Sequence, residues 1–272
     1  MPVRFKNKYS MTVEENIFYA KRVLVDSIYK ASRLEGVAVT YPQTYELFEG
    51  RTVAGLSVDD VIKVNNLKHG WSFILDHVDY PMDLRFIRQI NQNVGAGLVW
   101  EAGNLRQSNV GIGGTNWIPD IPDLQRCTNR IQEIMAGAGS ETDKAIEVML
   151  FVMRSQMFND GNKRTAQLAA NQILVGAGAG VLAVPVEEQK NFLEKLIVFY
   201  ETEEADGLAQ FVYERCVAGP DMLEKDRPHD WEGKTNEDPS EKKESVVGLL
   251  EQKKLEARDS KPPRDPNKDL SL

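Results

Sequence analysis

The chain contains few of the residues that mark metal-bound or disulfide-linked proteins. Its 272 residues include two cysteines and three histidines. Cys127 and Cys216 are too far apart in sequence to form a metal-type pair, so we expect two reduced, buried thiols rather than a disulfide. No apolar run reaches the length that spans a membrane. The opening residues, MPVRFKNKYS, lack the apolar stretch of a secretory signal, and we therefore expect a cytoplasmic protein.

The sequence also lacks an excess of positive charge. The formal net charge is −8 and the pI is about 5.1. Such a chain has no broad field that attracts DNA or RNA, so general nucleic-acid binding is not expected. A local basic site for a single nucleotide is still compatible with this charge.

Helical periodicity dominates most of the chain. Thr12 and Glu15 form a capping-box pattern, and the apolar rhythm after them predicts a helix to about Leu34. Further on, the stretch TDKAIEVMLFVMRSQM is apolar nearly all round, which is typical of a central, buried helix. We predict a mainly α fold, with residues 1–80 as an N-terminal helical region.

One segment breaks the helical pattern. The stretch GAGLVWEAGNLRQSNVGIGGTNWIPDIPD is rich in glycine and asparagine, with short alternating apolar residues. This pattern predicts a hairpin or an extended flap, which Pro119 and Pro122 end.

The composition changes again near the C-terminus. Charged residues and proline dominate residues 218–272, which is the pattern of a disordered tail. Residues 241–258 carry an incomplete apolar stripe. For these residues a solvated, transient helix is favoured over a docked one.

The stretch QMFNDGNKRTAQ, residues 156–167, lies between two helical patterns. Phe158 is predicted to anchor it, and Asp160 offers a carboxylate of the kind that binds Mg²⁺ together with substrate phosphates. Gly161 permits a sharp turn without steric cost. A turn of this kind at a helix start presents backbone N–H groups to an anion.

Two cations extend the same anion site. Lys163 and Arg164 add positive charge where phosphoryl oxygens would lie, beside the N–H group of Asn162. D-G-N is also a common turn, and K-R is also a common solvated helix start. The motif alone therefore leaves a purely structural alternative open.

The stretch resembles the signature of the Fic/Doc (Fido) family, H-x-F-x-[DE]-G-N-[GK]-R. Phe158, Asp160, Gly161, Asn162 and Arg164 match it. Upstream, ASRLEG resembles the family's inhibitory-helix motif, [ST]-x-x-x-E-[GN]. The residues of that motif here are Ser32, one place late, together with Glu35 and Gly36. The stretch GNLRQSNVGIGGTNWIPDIPD resembles the G-x-x-R segment and target-docking flap.

The resemblance implies a helical bundle with the motif loop between two central helices and a small β-hairpin flap, and it places the Fido domain at residues 81–217. It implies transfer of AMP, or of phosphate, from ATP to a hydroxyl of a target protein, with Mg²⁺ at Asp160. The target would add to the flap as a strand. The implied docking residues are Val110, Gly111, Ile112, Gly113 and Trp117.

Two positions depart from the family pattern. Gln156 occupies the place of the catalytic histidine, and a glutamine side chain does not accept a proton at neutral pH. Gln167 replaces the second arginine, which in relatives binds nucleotide phosphate and pairs with the inhibitory glutamate. Glu35 therefore lacks its usual partner, and Lys163 or Arg164 is the candidate substitute.

Three functions remain open from the sequence. The first is a slow transferase of AMP or phosphate. The second is a non-catalytic nucleotide-binding module that regulates or binds another protein. The third is a hydrolase in which Glu35 positions water to remove such modifications.

Overall fold

The structure is a computed structural model that describes residues 5–220. The tail beyond residue 220, including residues 241–258 for which a solvated, transient helix is favoured, lies outside the described residues. The elements in chain order are α1 (Val13–Arg22), α2 (Leu24–Leu34), α3 (Tyr41–Phe48), α4 (Val58–Asp76), α5 (Leu84–Gly95), α6 (Leu124–Ala136), α7 (Glu141–Ser155), α8 (Asn162–Gly176), β1 (Val181–Leu182), α9 (Gln189–Thr202), α10 (Asp206–Phe211) and β2 (Val217–Ala218). The predicted mainly α fold is confirmed.

Helix α8 occupies the centre of the core. Every residue from Arg164 to Val175 is buried, and α8 packs against α7, α5, α4 and α1. Small side chains let these helices approach closely. At Gly70 of α4, an added Cβ would lie 2.6 Å from Leu168 Cδ1, so a larger residue there would displace the Leu168 side chain. The predicted central, buried helix over residues 142–157 corresponds to α7, which is buried along much of its length and pairs with α8.

The single helix predicted from residue 13 to Leu34 is interrupted at Val23 and forms α1 and α2. The Val23 N–H still donates to Tyr19 O at 3.1 Å, and its carbonyl accepts from the Ser27 N–H at 2.9 Å. The interruption is therefore a one-residue kink. It lets α1 pack on α8 while α2 packs on α4. The apolar rhythm did not indicate this change of neighbour.

The predicted flap is extended and does not form the hairpin. No strand lies between residues 96 and 123. Within residues 5–220, the only sheet joins β1 to β2 in antiparallel register, with Val181 opposite Ala218. The two arms of the flap are joined through one arginine side chain, as described below, and a strand ladder is not needed to hold them.

Both predicted thiols are free and buried, at Cys127 in α6 and at Cys216. The expectation of two unpaired, buried cysteines is confirmed. Within residues 5–220, no helix is both long enough and apolar enough to traverse a lipid bilayer.

Candidate active site

Two left-handed residues shape the loop between α7 and α8. Gln156 ends α7 with φ 44°, and Gly161 precedes α8 with φ 78°. At Gly161 an added Cβ would lie 2.8 Å from Val94 Cγ1. Both the backbone angle and the close approach of α5 therefore favour glycine. The loop turns sharply and directs the first turn of α8 toward the site.

Asn162 holds this loop together from inside. Its Oδ1 accepts from the Phe158 N–H at 3.0 Å, and its Nδ2 donates to Phe158 O at 2.8 Å. The same Nδ2 donates to Gln156 Oε1 at 3.1 Å. Phe158 is 1% exposed and acts as the anchor that the sequence predicted. Asn162 is thus a structural clamp for the loop as well as the first residue of α8.

The Gln156 amide is fully engaged within the protein. Its Nε2 donates to Met153 O at 2.6 Å and to Tyr200 Oη at 3.2 Å, while Oε1 accepts from Asn162. Both N–H groups of a primary amide are used by these two contacts. The side chain at the family's histidine position therefore connects α7, α8 and α9.

Arg106 joins the flap to the motif loop. Its guanidinium donates to Gln156 O at 2.6 Å, to Ser108 O at 2.8 Å, to Pro119 O at 3.2 Å and to Asp120 O. The side chain is 1% exposed. Burial lowers the pKa of this guanidinium, and the charge of Asp120 opposes the shift. The sequence did not indicate this role, although a lone arginine among glycine and asparagine residues was a signal.

Asn91 of α5 is a second residue that the sequence did not reveal. Its Nδ2 donates to Asp160 O at 3.0 Å and to Thr165 Oγ1 at 3.1 Å, and its Oδ1 accepts from the Gly103 N–H at 2.8 Å. Asn91 therefore fixes the loop on the side opposite Arg106. A lone asparagine on an amphipathic helix carries no distinctive pattern.

Trp117 packs the flap against α7 and α9. Its ring stacks on Tyr200 with centroids 5.4 Å apart, and the Arg154 guanidinium lies 5.0 Å from the indole centroid. Burial raises the pKa of Tyr200, the hydrogen bond from Gln156 lowers it, and the charge of Glu35 raises it further. The other predicted flap residues differ, because Gly111 and Gly113 are exposed while Val110 and Ile112 are half-buried.

Glu35 ends α2 and points at the start of α8. The end of α2 is a Schellman motif, in which the Val37 N–H donates to Ser32 O and the Gly36 N–H to Arg33 O. Gly36 supplies the left-handed angle at φ 79°. This geometry brings the Glu35 carboxylate to the motif, so the predicted regulatory and phosphate-binding residues lie together.

The contacts of Glu35 are ion pairs with two cations of α8. Its Oε2 lies 3.5 Å from Arg164 Nε, and its Oε1 lies 3.6 Å from Lys163 Nζ. The amide of Gln167 donates instead to Lys163 O, at 3.2 Å. Lys163 and Arg164 thus take the place of the absent second arginine as partners of the glutamate.

Three buried polar atoms near this contact have no hydrogen-bond partner among the described residues. They are Ser32 Oγ, Glu35 Oε1 and Arg164 Nε. Most buried polar atoms in folded proteins are hydrogen-bonded. The ion pairs at 3.5 and 3.6 Å are too long to replace those bonds.

Asp160 is the exposed acid of the loop. Its side chain is 52% exposed, and its Oδ2 lies 3.0 Å from Arg164 Nη2. Within residues 5–220, no group of three or more His, Cys, Asp or Glu side chains forms a metal cage. One carboxylate suits Mg²⁺ where substrate phosphates and water supply the other oxygens. The donor set therefore fits a metal that arrives with a nucleotide.

Residues 81–174 match the family model described as the Fic/DOC family. No curated protein sequence matches the chain. Among solved structures, Fic-1 from C. elegans matches with a TM-score of 0.60 at 19% identity, covering 72% of this chain and 61% of that one. A Fic-domain-containing signalling protein from Bacteroides thetaiotaomicron gives 0.62 at 20% identity, covering 74% and 84%. A Fic family protein from Desulfovibrio desulfuricans gives 0.57 at 15%, covering 83% and 79%. At these identities the structural likeness shows the fold alone.

Proposed function

The chain is a Fic/DOC family protein, and from this premise we propose that its motif site binds the phosphates of a nucleotide and acts as a regulatory module. In this proposal transfer of AMP or phosphate to a target hydroxyl is at most a slow side activity. The observation that carries the proposal is the Gln156 amide, whose two N–H groups are both taken by other parts of the protein.

The start of α8 has the chemistry of a phosphate site. The first N–H groups of a helix have no partner within it, and the helix dipole adds partial positive charge there. Gly161 and Asn162 shape this turn. Lys163, half-buried, and Arg164, almost wholly buried, add two positive charges at the same place. A nucleotide phosphate suits this combination.

The position of the family's histidine lacks a group that takes a proton at neutral pH. Gln156 does not titrate, and burial raises the pKa of its neighbour Tyr200, so the phenol stays neutral. Loss of a general base typically lowers a rate by about 10²–10⁴-fold. Transfer to a target hydroxyl is therefore proposed to be slower than in a relative that has the histidine, by about that factor.

Asp160 is the proposed ligand for the Mg²⁺ that accompanies ATP. Its carboxylate is exposed and has one oxygen not engaged by Arg164. Magnesium bound there with a nucleotide would neutralise charge on the phosphates. Asp160 would hold the ion, while Lys163 would contact the phosphoryl oxygens directly.

Glu35 is proposed to control access to this site. Its carboxylate lies on the two cations that a phosphate would use. A phosphate and a carboxylate at one place repel each other, so nucleotide binding requires the Glu35 side chain to leave. The contact is therefore inhibitory in its effect on binding.

A second candidate is the Glu35-assisted hydrolase. It is favoured by the unpartnered Ser32 Oγ, Glu35 Oε1 and Arg164 Nε, because such a set of polar atoms is suited to hold a water molecule. In this alternative the carboxylate orients that water. It predicts that Glu35→Gln abolishes hydrolysis of an AMP-modified protein.

The test of nucleotide binding is a titration of the full chain with a fluorescent ATP analogue, with and without Mg²⁺. We expect saturable binding that Lys163→Ala weakens roughly tenfold, since one charged contact to phosphate is lost. Lys190→Ala is the matched control, because Lys190 is an exposed lysine of α9 outside the motif. No saturable binding, or equal weakening by both variants, would refute the proposal.

The test of chemistry is mass spectrometry of the chain incubated with Mg²⁺ and ATP. Wild type, Gln156→His and Glu35→Gly are compared for added AMP or phosphate. We expect no detectable modification of wild type on a time scale that modifies Gln156→His. Efficient modification of wild type would refute the regulatory-module proposal, because the chain would then be a transferase that works without the histidine.

A further inference from the structure

A cavity of about 850 Å³ lies beside the motif loop, between α6, α7 and the exit arm of the flap. We call it the α6–α7 groove. Its lining includes Trp117, Pro119 and Ile121 of the flap, together with Phe151 and Phe199. The motif residues from Gln156 to Arg164 are not part of it. The groove is therefore a feature that the proposed function does not use.

The floor of the groove is apolar. Leu150 and Phe151 of α7 and Phe199 of α9 line it, beside the indole of Trp117. At its edge, Ile121 is 52% exposed and the adjacent Leu124 is 57% exposed. Leu150 and Phe199 are buried and Phe151 and Trp117 are half-buried, so the apolar floor lies at the bottom of a concave groove. A concave, mostly apolar site with a few polar groups at its border is typical of a site that binds another molecule. Single exposed apolar residues would carry no such meaning.

The charge around the floor is negative. Six carboxylates and three arginines line the groove. Arg130 is paired with Glu133 and Glu147, and Arg154 is paired with Glu203. Among the described residues no ion pair engages the remaining groove carboxylates, Asp120, Asp123 and Asp143, although the charge of Asp120 also acts on the buried Arg106. Arg126 is a further groove cation without an ion pair among these residues. Nucleotides and nucleic acids are anionic, so this groove does not suit them.

We propose that the α6–α7 groove binds a segment of a partner protein that carries apolar side chains flanked by lysine or arginine. The apolar floor matches the apolar side chains, and the surplus carboxylates match the cations. Trp117 and Pro119 belong to both the flap and the groove, so a chain lying along the flap continues into it. The inference goes beyond the proposed function and does not depend on nucleotide binding.

The experiment is selection from a random peptide display library on the full-length chain, without nucleotide. Enriched peptides are then measured by fluorescence anisotropy against wild type and variants. We expect enrichment of segments with leucine, valine or aromatic residues flanked by lysine or arginine. Peptides that are enriched without basic residues, or with acidic ones, would overturn the inference.

Two variants locate the binding. Ile121→Ser removes an exposed apolar contact, and Asp120→Asn/Asp143→Asn removes the charges of two groove carboxylates. Each variant is expected to lower the affinity for the enriched peptides roughly fivefold. The control Asp59→Asn/Asp79→Asn changes two exposed carboxylates outside the groove and should leave affinity unchanged. Equal affinity for wild type and both groove variants would overturn the proposal.

A second copy of the chain is the competing occupant. Sedimentation velocity of wild type and Ile121→Ser distinguishes it. A concentration-dependent dimer that Ile121→Ser dissociates would assign the groove to self-association and overturn the partner-segment proposal. A monomer in both proteins, together with peptide binding, supports it.

Discussion

The two sides of the motif site differ in how their polar atoms are satisfied. On one side, the amides of Gln156 and Asn162, the Gln156 carbonyl and the backbone N–H and C=O of Phe158 are all hydrogen-bonded, and the partners include Arg106 and Tyr200. On the other side, the contact between Glu35 and α8 consists of two long ion pairs, and three of its buried atoms have no hydrogen-bond partner among the described residues, two of them being ion-pair atoms. The two sides lie within one site and share Arg164 as a neighbour.

The difference indicates which part of the site is rigid and which part is able to move. A satisfied, buried network resists change, because each broken bond leaves an unpaired polar group. A contact with unmet hydrogen bonds loses little when it opens. We infer that the loop is a fixed scaffold and that the Glu35 contact is the part that responds to a ligand. Four variants break or sharpen this contrast.

The largest effect is expected for Arg106→Ala. Four carbonyl groups lose a donor, at Gln156, Ser108, Pro119 and Asp120. At about 1 kcal/mol for each hydrogen bond, the free energy of unfolding should fall by about 4 kcal/mol. Urea denaturation followed by circular dichroism measures it.

Arg88→Ala is the matched control for that variant. Arg88 donates to Gly103 O at 2.8 Å and to Asn104 Oδ1 at 2.9 Å in the same segment, but it is only half-buried. Arg88→Ala should lower the free energy of unfolding by about 1 kcal/mol. If the two variants were equally stable, Arg106 would not be the residue that holds the flap to the motif loop.

Asn162→Ala should have the next largest effect. It leaves the N–H and C=O of the buried Phe158 without partners and removes the contact to Gln156. We expect a loss of about 2–3 kcal/mol in the free energy of unfolding. Asn159→Ala, an exposed position of the same loop, should change stability by less than about 0.5 kcal/mol. A stable Asn162→Ala protein would contradict the rigid-scaffold interpretation.

Glu35→Gln tests the other side of the contrast. The variant keeps the size of the side chain and removes its charge from Lys163 and Arg164. Stability should change by no more than about 1 kcal/mol, because the ion pairs are long. Binding of the fluorescent ATP analogue should tighten roughly tenfold, since a charge near the phosphates is removed.

Glu49→Gln, at an exposed position at the end of α3, is the control for Glu35→Gln. It should alter neither the free energy of unfolding nor the affinity for the ATP analogue. A large loss of stability in Glu35→Gln with unchanged nucleotide affinity would reverse the assignment. Glu35 would then be a structural residue rather than an inhibitory one.

The fold and the centre of the site were predictable because their signals are local. The capping box at Thr12, the apolar periodicity of α7 and the consecutive motif from Phe158 to Arg164 each depend on residues close in sequence. The roles of Arg106 and Asn91 were not predictable, since their partners lie up to 50 and 74 residues away. The choice between the two predicted flap conformations, a hairpin and an extended flap, was not predictable for the same reason. Its arms are held by one buried side chain, which leaves no repeating pattern.

The smallest effect at neutral pH is expected for Tyr200→Phe, which keeps the ring stacked on Trp117 and removes one hydrogen bond from Gln156. The cost should be about 0.5–1 kcal/mol in the free energy of unfolding. The more informative result is the dependence on alkaline pH. Burial raises the pKa of Tyr200 above its ordinary value of 10.0. The unfolded phenol ionises above that pH, while the folded one remains neutral.

The raised pKa of Tyr200 therefore contributes stability that is complete below pH 10 and declines as the pH rises further, by at most about 1.4 kcal/mol per pH unit. Burial also raises the pKa of Tyr19 and of Cys216, each to about 12, so part of the alkaline decline remains in the variant. Urea denaturation of Tyr200→Phe between pH 9 and 11 should give a shallower slope than wild type. An unchanged slope would mean that Tyr200 ionises as readily in the folded protein as in the unfolded one. Water would then reach the Tyr200 hydroxyl that contacts Gln156.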